Sequence, residues 1–592
     1  MRRREIVKVA LGKEPADTAI VGGRLVNVHT LEILEADVAI KGDRIAAVGD
    51  VAHTIGDRTT VIDAGGRYIT PGLVDGHLHM YHSYLGIPEF VEAMLRHGVT
   101  STADGFYGQG IVGGPDAVRF FKDAFATMPI RLTFLVPTLA YLQNRELGLT
   151  PAPGISKDEM FDMLRWPDCY GLEEPPYLPI SWEWEEFLDL FEATLEAGKV
   201  ISGHASGITP AELQAYVGMG AATDHETVES LDGLQKVRAG MKLLMREGSG
   251  CTNVAELSRV RTEHGVDPST LGFCADVASP EKLWKDGGVD QNIRVAIANG
   301  VDPAEAVRMA SLSVAQTFRR DHDLGSVTAG RFADLLLVDD LASFDIRTVM
   351  FGGEVVVRDG TFVAELPSVT YPGSFYDSVQ LSTTVTPEQL RVPAPAGSAS
   401  VVVRALEVKE GTLVTRETMH DLEVSDGIVQ PDIERDVLQI AMIDRLGKGT
   451  GIGVGFVTGF GLKRGAFATS VNAVCENVLV VGANADDMAL AVNELARVGG
   501  GKIVVADGEV RALVELPLLG LLSEDPTSVV MGKFERAFAE IRELGCELAS
   551  PFSQLEFSGA CGEIGDLKIS DEGPVRVNPP EKVEVIVSTS ED

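Results

Sequence analysis

Tyr68-Ile69-Thr70-Pro71-Gly72-Leu73-Val74-Asp75-Gly76-His77-Leu78-His79 is an apolar run that ends in two histidines one residue apart. On a β-strand, side chains i and i+2 leave the same face. His77 and His79 are therefore expected to point together into one cavity, each offering a ring nitrogen to one metal ion. A His-x-His pair alone says little. Here it ends a core strand, and further metal-ligating residue types follow along an alternating strand–helix pattern.

That pattern runs onward from Pro71. Ile130–Val136 and Val200–His204 read as strands, and helices are expected near Trp184–Ala197, Pro210–Met219 and Pro303–Phe318. Repeated β–α units of this total length favour a (β/α)8 barrel of the TIM type over residues 71–322. A doubly wound sheet is the alternative. Before it, Thr18–Val21, Ala36–Ile40 and Arg44–Val48 read as short strands separated by Gly22-Gly23 and Lys41-Gly42-Asp43 turns. After it, Leu324–Val338 and Val349–Val357 are again strand–turn–strand. The simplest joining is a small β-sandwich built from 1–70 and 323–386, with the barrel inserted between its halves.

The remainder, 387–592, opens on linker-like Pro393-Ala394-Pro395 and Gly397-Ser398. Strands at Asn477–Gly482 and Lys502–Ala506 flank a helix from Asp486 to Arg497, giving an α/β or α+β domain. Gly499-Gly500-Gly501-Lys502 is no phosphate loop: Ile503 follows, and the stretch links helix to strand, the wrong order. Gly451–Gly461 lacks G-x-G-x-x-G spacing. Both are expected to be turns or tight packing.

Composition narrows the function classes. At 592 residues, 45% of them hydrophobic, the chain holds several domains with large cores. A net charge of −36 argues against nucleic acid and against an anionic membrane surface, since both need a basic face. Cys169, Cys251, Cys274, Cys475, Cys546 and Cys561 include no CxxC pair, so neither a disulfide framework nor a cysteine zinc site is expected. Met1-Arg2-Arg3-Arg4-Glu5 has no signal-peptide core after it. No apolar run reaches spanning length. A cytoplasmic homo-oligomer, dimer or higher, acting on a small molecule fits these features.

Four further sites place a metal-capable residue where a strand meets its loop: Glu173-Glu174, His204, His225-Glu226 and Asp276. Each alone could be a solvated histidine, a helix cap or a turn acid. In chain order they make His-x-His, Glu, His, His, Asp. His29, His53, His97, His264, His322 and His420 lack this context and are expected at the surface or in packing. His82 is set apart because it lies close behind the pair.

Pro71–His79 together with Gly330-Arg331-Phe332-Ala333-Asp334-Leu335 resembles the amidohydrolase superfamily of metal-dependent barrels. Gly203–Gly207, Asp224-His225-Glu226, Met245–Ser249, Gly455–Ala466, Asp486–Ala491 and Glu515-Leu516-Pro517 resemble the adenine deaminase family within it. The resemblance covers nearly the whole chain. It implies one or two divalent ions (Mn, Fe or Zn), with His77 and His79 on one and His204 and His225 completing a second position. It implies that Glu174 bridges or ligates, that Asp276 ligates and shuttles protons, and that Glu226 protonates a ring nitrogen or orients His225. The implied activity is hydrolysis of a cyclic C–N bond, with adenine to hypoxanthine as the leading case. The alternatives are opening of a lactam or cyclic imide, another amino-heterocycle, or a noncatalytic scaffold; the retained Asp276 argues against the last.

The chain departs from the family pattern around these residues. Met80-Tyr81-His82-Ser83 stands for Ile-Glu-Ser-Ser, Asp104-Gly105-Phe106-Tyr107 for Asp-Pro-His-Glu, and Asp276-Val277-Ala278-Ser279 for Asp-Asp-Arg-His. Leu446-Gly447 replaces His-His, and Asn472-Ala473-Val474-Cys475-Glu476-Asn477 replaces Ala-His-Asp-Ser-His-Asn. Phe106, Tyr107 and Val277 are expected to make the pocket more apolar. Ring nitrogens would then lack partners, making adenine a poor substrate and favouring a less polar cyclic amide or amino-heterocycle.

Overall fold

The computed structural model describes residues 3–143, 145–149, 154–249, 251–447, 451–559, 565–577 and 579–589. At its centre, eight parallel strands follow one another in chain order: β1 Leu73–Asp75, β2 Val99–Asp104, β3 Arg131–Pro137, β4 Cys169–Pro176, β5 Val200–His204, β6 Ala221–Asp224, β7 Lys242–Arg246 and β8 Leu271–Cys274. Their residues are almost all buried, as expected of strands covered on both faces. The ring closes just beyond β1 and β8. Gly76 N donates to Phe273 O (3.1 Å), Asp276 N to His77 O (2.9 Å) and His79 N to Asp276 O (3.0 Å). Barrel closure itself thus sets Asp276 beside the histidine pair.

Helices cover the outside. Pro210–Gly218 starts where its sequence dictates: Thr209 and Glu212 form a reciprocal capping box, and proline takes the first position. The helix expected over Pro303–Phe318 is two, Pro303–Met309 and Leu312–Thr317. Ser311 breaks it, with φ −147° and its hydroxyl turned back onto Val307 O. Gly171, in β4, has no room for a side chain, since a Cβ would lie 1.8 Å from Val200 O. Gly171→Ala is expected to cost about 3 kcal/mol, read as a lower melting temperature; an unchanged melt would contradict the packing.

The segments on either side of the barrel share one nine-stranded sheet. Tyr68–Pro71 pairs with Leu335–Val338, so the strand leading into the barrel is zipped to the strand that follows it. The expected sandwich is this one sheet, curled around a core that includes Ile20, Val38, Ile69, Leu335 and Met350. Gly22-Gly23 is not a turn. It is a bulge inside one long strand, Thr18–Asn27, and Gly23 leaves space for the Ile69 side chain. Asp334 receives both Arg131 nitrogens (2.6 and 2.9 Å) and ties this sheet to the barrel. An N-terminal helix, Arg3–Ala10, was not expected; Ile6 and Val9 bury its apolar side.

Beyond Pro387, a ten-stranded, mostly antiparallel sheet carries the helices Ala485–Val498 and Thr527–Glu543, an α+β arrangement. Gly499 caps the first helix in left-handed conformation, and a Cβ on Gly500 would strike Gly520 Cα at 2.4 Å. A Cβ on Gly453 would lie 1.8 Å from Ser570 O. Turns and tight packing account for both glycine-rich stretches. This region docks on the barrel through Gly86 N to Ser523 O (2.7 Å) and Ser523 N to Tyr84 O (2.9 Å). Cys169, Cys251, Cys274, Cys475 and Cys546 are free thiols, and Cys561 lies outside the described residues. No helix among the described residues is long and apolar enough to cross a membrane.

Candidate metal centre

All six sequence-predicted ligand positions meet at the carboxyl end of the barrel. His77 and His79 follow β1, Glu174 lies within β4, His204 ends β5, His225 follows β6 and Asp276 follows β8. Glu174 is the hub. Its oxygens lie 3.1 Å from His79 Nε2, 3.5 Å from His77 Nε2, 3.3 Å from His225 Nε2 and 3.4 Å from His204 Nδ1. Asp276 Oδ1 is 3.4 Å from His79 Nε2 and 3.6 Å from His77 Nε2. Glu174 (φ 33°) and Asp276 (φ 60°) both hold left-handed backbone, a strain that recurs at functional sites.

The donor set fits a divalent cation. His77 Nε2, His225 Nε2 and Glu174 Oε1 are buried without a hydrogen bond, a cost of about 1–3 kcal/mol for each such atom. Their nitrogens and oxygens are the ligand types such an ion takes. Among these six residues three groups each bring their ligand atoms within 4.8 Å, His77–His79–Glu174, Glu174–His204–His225 and His77–His225–Asp276, and His79–Asp104–Glu173 does so beside them. Glu174 stands in two of them and could join two ions.

Electrostatics agree with that reading. Burial alone would raise the Glu174 carboxyl, but His79 and His77 hold it well below the usual range. Asp276 behaves alike: burial opposes its charge, and His79 and the Arg246 guanidinium outweigh it. Burial, with His225 and His79 alongside, pushes His77 down to about 4, leaving a neutral imidazole able to ligate.

A set of buried struts holds the ligands. Asp75 accepts from His77 N (3.1 Å) and Ala275 N (3.2 Å), latching β1 to β8. Asn292 Nδ2 donates to Met245 O and Cys274 O, fixing the ends of β7 and β8. Lys236, fully buried, donates to Ala205 O (2.8 Å), Thr227 Oγ1 (2.9 Å) and Asp224 Oδ2 (3.0 Å), so one ammonium ties the loop after His204 to the residues on both sides of His225. Burial raises the Asp224 carboxyl, yet Lys236 and His225 take it below the ordinary range. The pair therefore supports the fold above the usual carboxylate pKa, and that support fades as pH falls through the lowered value. Asp224→Asn leaves the ammonium only the half-exposed Asp232 carboxylate, 3.0 Å away, as a charge partner, and is expected to cost about 3 kcal/mol near neutral pH. Denaturant unfolding should show that loss shrinking in acid; a constant difference would contradict it.

A cavity of about 290 Å3 opens beside Glu174, His79, His204 and Asp276. Its character corrects one expectation. Phe106 does not face it, because its φ of 62° turns the ring into the core, against Phe125 and Phe121. Tyr107 and Val277 do line it, as does His82. Glu226, Arg246, Ser206, Thr252 and Asn253 line it as well, so the wall is polar as well as aromatic.

Sequence reading missed several residues. Arg246 lay in a quoted motif without a role; its Nη1 binds Glu226 and, at 2.9 Å, Asp276 Oδ2, linking the two expected acid–base groups. Ala473, Val474, Phe557, Thr412 and Val414 reach the cavity from the far end of the chain. No local motif could have announced that contact. His97 pairs with Asp290 at 2.9 Å, a packing role as expected.

A closed parallel barrel with histidines and acids gathered at its carboxyl end defines the amidohydrolase class, and the Amidohydrolase family model matches residues 68–356. The Adenine deaminase C-terminal domain model matches residues 412–581. An adenine deaminase of Moorella thermoacetica is 38% identical over 555 residues, covering 93% of this chain and 92% of its own. One from Mesorhizobium japonicum is 36% identical over 591 residues, covering 98% and 96%. The chain belongs to the adenine deaminase family.

Proposed function

We propose that this chain hydrolyses the exocyclic C–N bond of adenine, giving hypoxanthine and ammonia, with His77, His79, Glu174, His204, His225 and Asp276 holding one or two divalent ions. The observation that carries this reading is the convergence of four histidines on Glu174, with Asp276 against two of them, at the cavity wall. Mn, Fe and Zn all suit imidazole and carboxylate donors. The bound ion supplies Lewis acidity, which makes water a nucleophile near neutral pH.

The chain's own groups move the protons. Asp276, ionised and steered by Arg246, accepts one from the attacking water and returns it to the leaving nitrogen. Glu226 lines the cavity 3.5 Å from His225 Nε2 and, after taking the other proton of that water, is the group to pass it to a ring nitrogen. Arg246 keeps both carboxylates aimed at the same space.

Around this site the reading has three parts: residues 1–70 with 323–386, residues 71–322, and residues 387–592. The enzyme is taken to act in the cytoplasm as a homo-oligomer on a small heterocycle, without nucleic acid or membrane. The test is a screen of metal-reconstituted protein on adenine, other amino-heterocycles, lactams and cyclic imides, following ammonia release and ring absorbance separately. Adenine kcat/KM within about 10⁴–10⁸ M⁻¹s⁻¹ is expected. Ring opening without ammonia from adenine would overturn the assignment in favour of a cyclic amidase.

A further inference from the structure

Tyr107 opens the helix after β2 and lines the cavity, its ring edge-on to His79 at 4.7 Å. Its hydroxyl accepts a 2.6 Å hydrogen bond from Tyr81 Oη. Both phenols are buried. A phenol has one proton to give. Tyr81 commits its own to Tyr107, and among the described residues the Tyr107 proton has no protein acceptor. It is left for whatever enters the cavity.

The pair is braced on both sides. Tyr81 packs 4.1 Å from His82, and a Cβ on Gly108 would lie 2.8 Å from the Tyr81 ring, so that helix must carry glycine where the ring passes. Behind Tyr81 stands Glu476, from the loop that also gives Ala473 and Val474 to the cavity wall. Its carboxyl lies within hydrogen-bonding reach of the Tyr81 phenol. Its Oε2 accepts from Asn472 N (3.1 Å), while its buried Oε1 has no hydrogen bond. The loop keeps left-handed backbone at Val474 (φ 74°) and Glu476 (φ 54°), costly for a β-branched residue. Buried Arg445 pins both its ends, donating from Nη1 to Ser470 O (3.2 Å) and from its backbone N to Asn477 Oδ1 (3.4 Å).

Tyr81 and Tyr107 come from one part of the sequence and Glu476 from a distant one. They form one local arrangement in space. We propose that the Tyr107 hydroxyl, oriented by Tyr81 and backed by Glu476, donates a hydrogen bond to an acceptor atom of the bound ring and so determines which heterocycles the site accepts. Tyr107 touches substrate; Tyr81 and Glu476 are positioning residues. The kinetic part of this proposal rests on the deaminase reading above.

Two measurements test it on the full-length, metal-loaded enzyme. The first needs no substrate. With ζ-¹³C tyrosine, the Tyr107 resonance is the one lost in Tyr107→Phe, and it is expected to shift in Tyr81→Phe and in Glu476→Gln. A Tyr107 signal unmoved in both variants would overturn the hydroxyl relay. The second compares adenine with its 3- and 7-deaza analogues, each lacking one ring acceptor that is not bonded to the reacting carbon. At least one should be poorer by about five- to tenfold in kcat/KM for the parent enzyme. That gap should collapse in Tyr107→Phe and narrow in Tyr81→Phe and Glu476→Gln, mainly through KM and with metal content unchanged. A gap that persists in Tyr107→Phe, or equal losses on all substrates, would overturn the specificity role. Should the parent enzyme turn over none of these purines, the deaminase reading fails, and the resonance shifts still decide the relay.

Discussion

Asp276→Asn is expected to lower kcat by at least about a hundredfold, the ordinary scale for loss of a general base. The substitution keeps the side chain's size and one oxygen near His77 and His79, but it removes the proton acceptor. It also replaces a carboxylate that Arg246 grips at 2.9 Å. Because Asp276 N and O join the barrel's closing hydrogen bonds through the backbone, the fold should persist. Steady-state kinetics with metal content measured on the same sample checks this. Activity within a few-fold of the parent would put the base elsewhere, and Glu226, on the same guanidinium, is the next group to test.

Glu174→Gln should be as damaging, by another route. Among the described residues Glu174 is the one side chain within 3.5 Å of four histidines, and its negative charge is what their ring nitrogens face. Glutamine fills the same volume but offers no charge. Groups that merely orient a metal ligand cost about ten- to a hundredfold in metal affinity or activity when lost. A shared ligand should cost more, so loss of both metal and turnover beyond about a hundredfold is expected. Elemental analysis with an ammonia-release assay reads both. Full metal content with normal turnover would show that Glu174 is a bystander.

Much of this was legible in the sequence because the signals were local. His77-Leu78-His79 at a strand end, Gly203-His204 and Phe273-Cys274-Ala275-Asp276 each carry the alternation of a strand into its loop. Barrel geometry does the rest, since every parallel strand delivers its carboxyl end to the same rim. Phe106 was misread because residue type was used where backbone conformation decided: a φ of 62° sends the ring into the core while its neighbour Tyr107 faces the cavity. Gly22-Gly23 looked like a turn because glycine permits both turns and bulges. The contributions of Val414, Val474 and Phe557 were invisible for a different reason. They depend on how distant segments dock, and no spacing along the chain encodes that.

Metal content is the most direct test of the central claim. Protein purified without chelator, and again after reconstitution with Mn, Fe or Zn, should carry at least about one divalent ion per chain. Binding should be lost when His77, His225 or Glu174 is replaced. A chain that stays metal-free after reconstitution, or that binds as well without those residues as with them, would contradict the account.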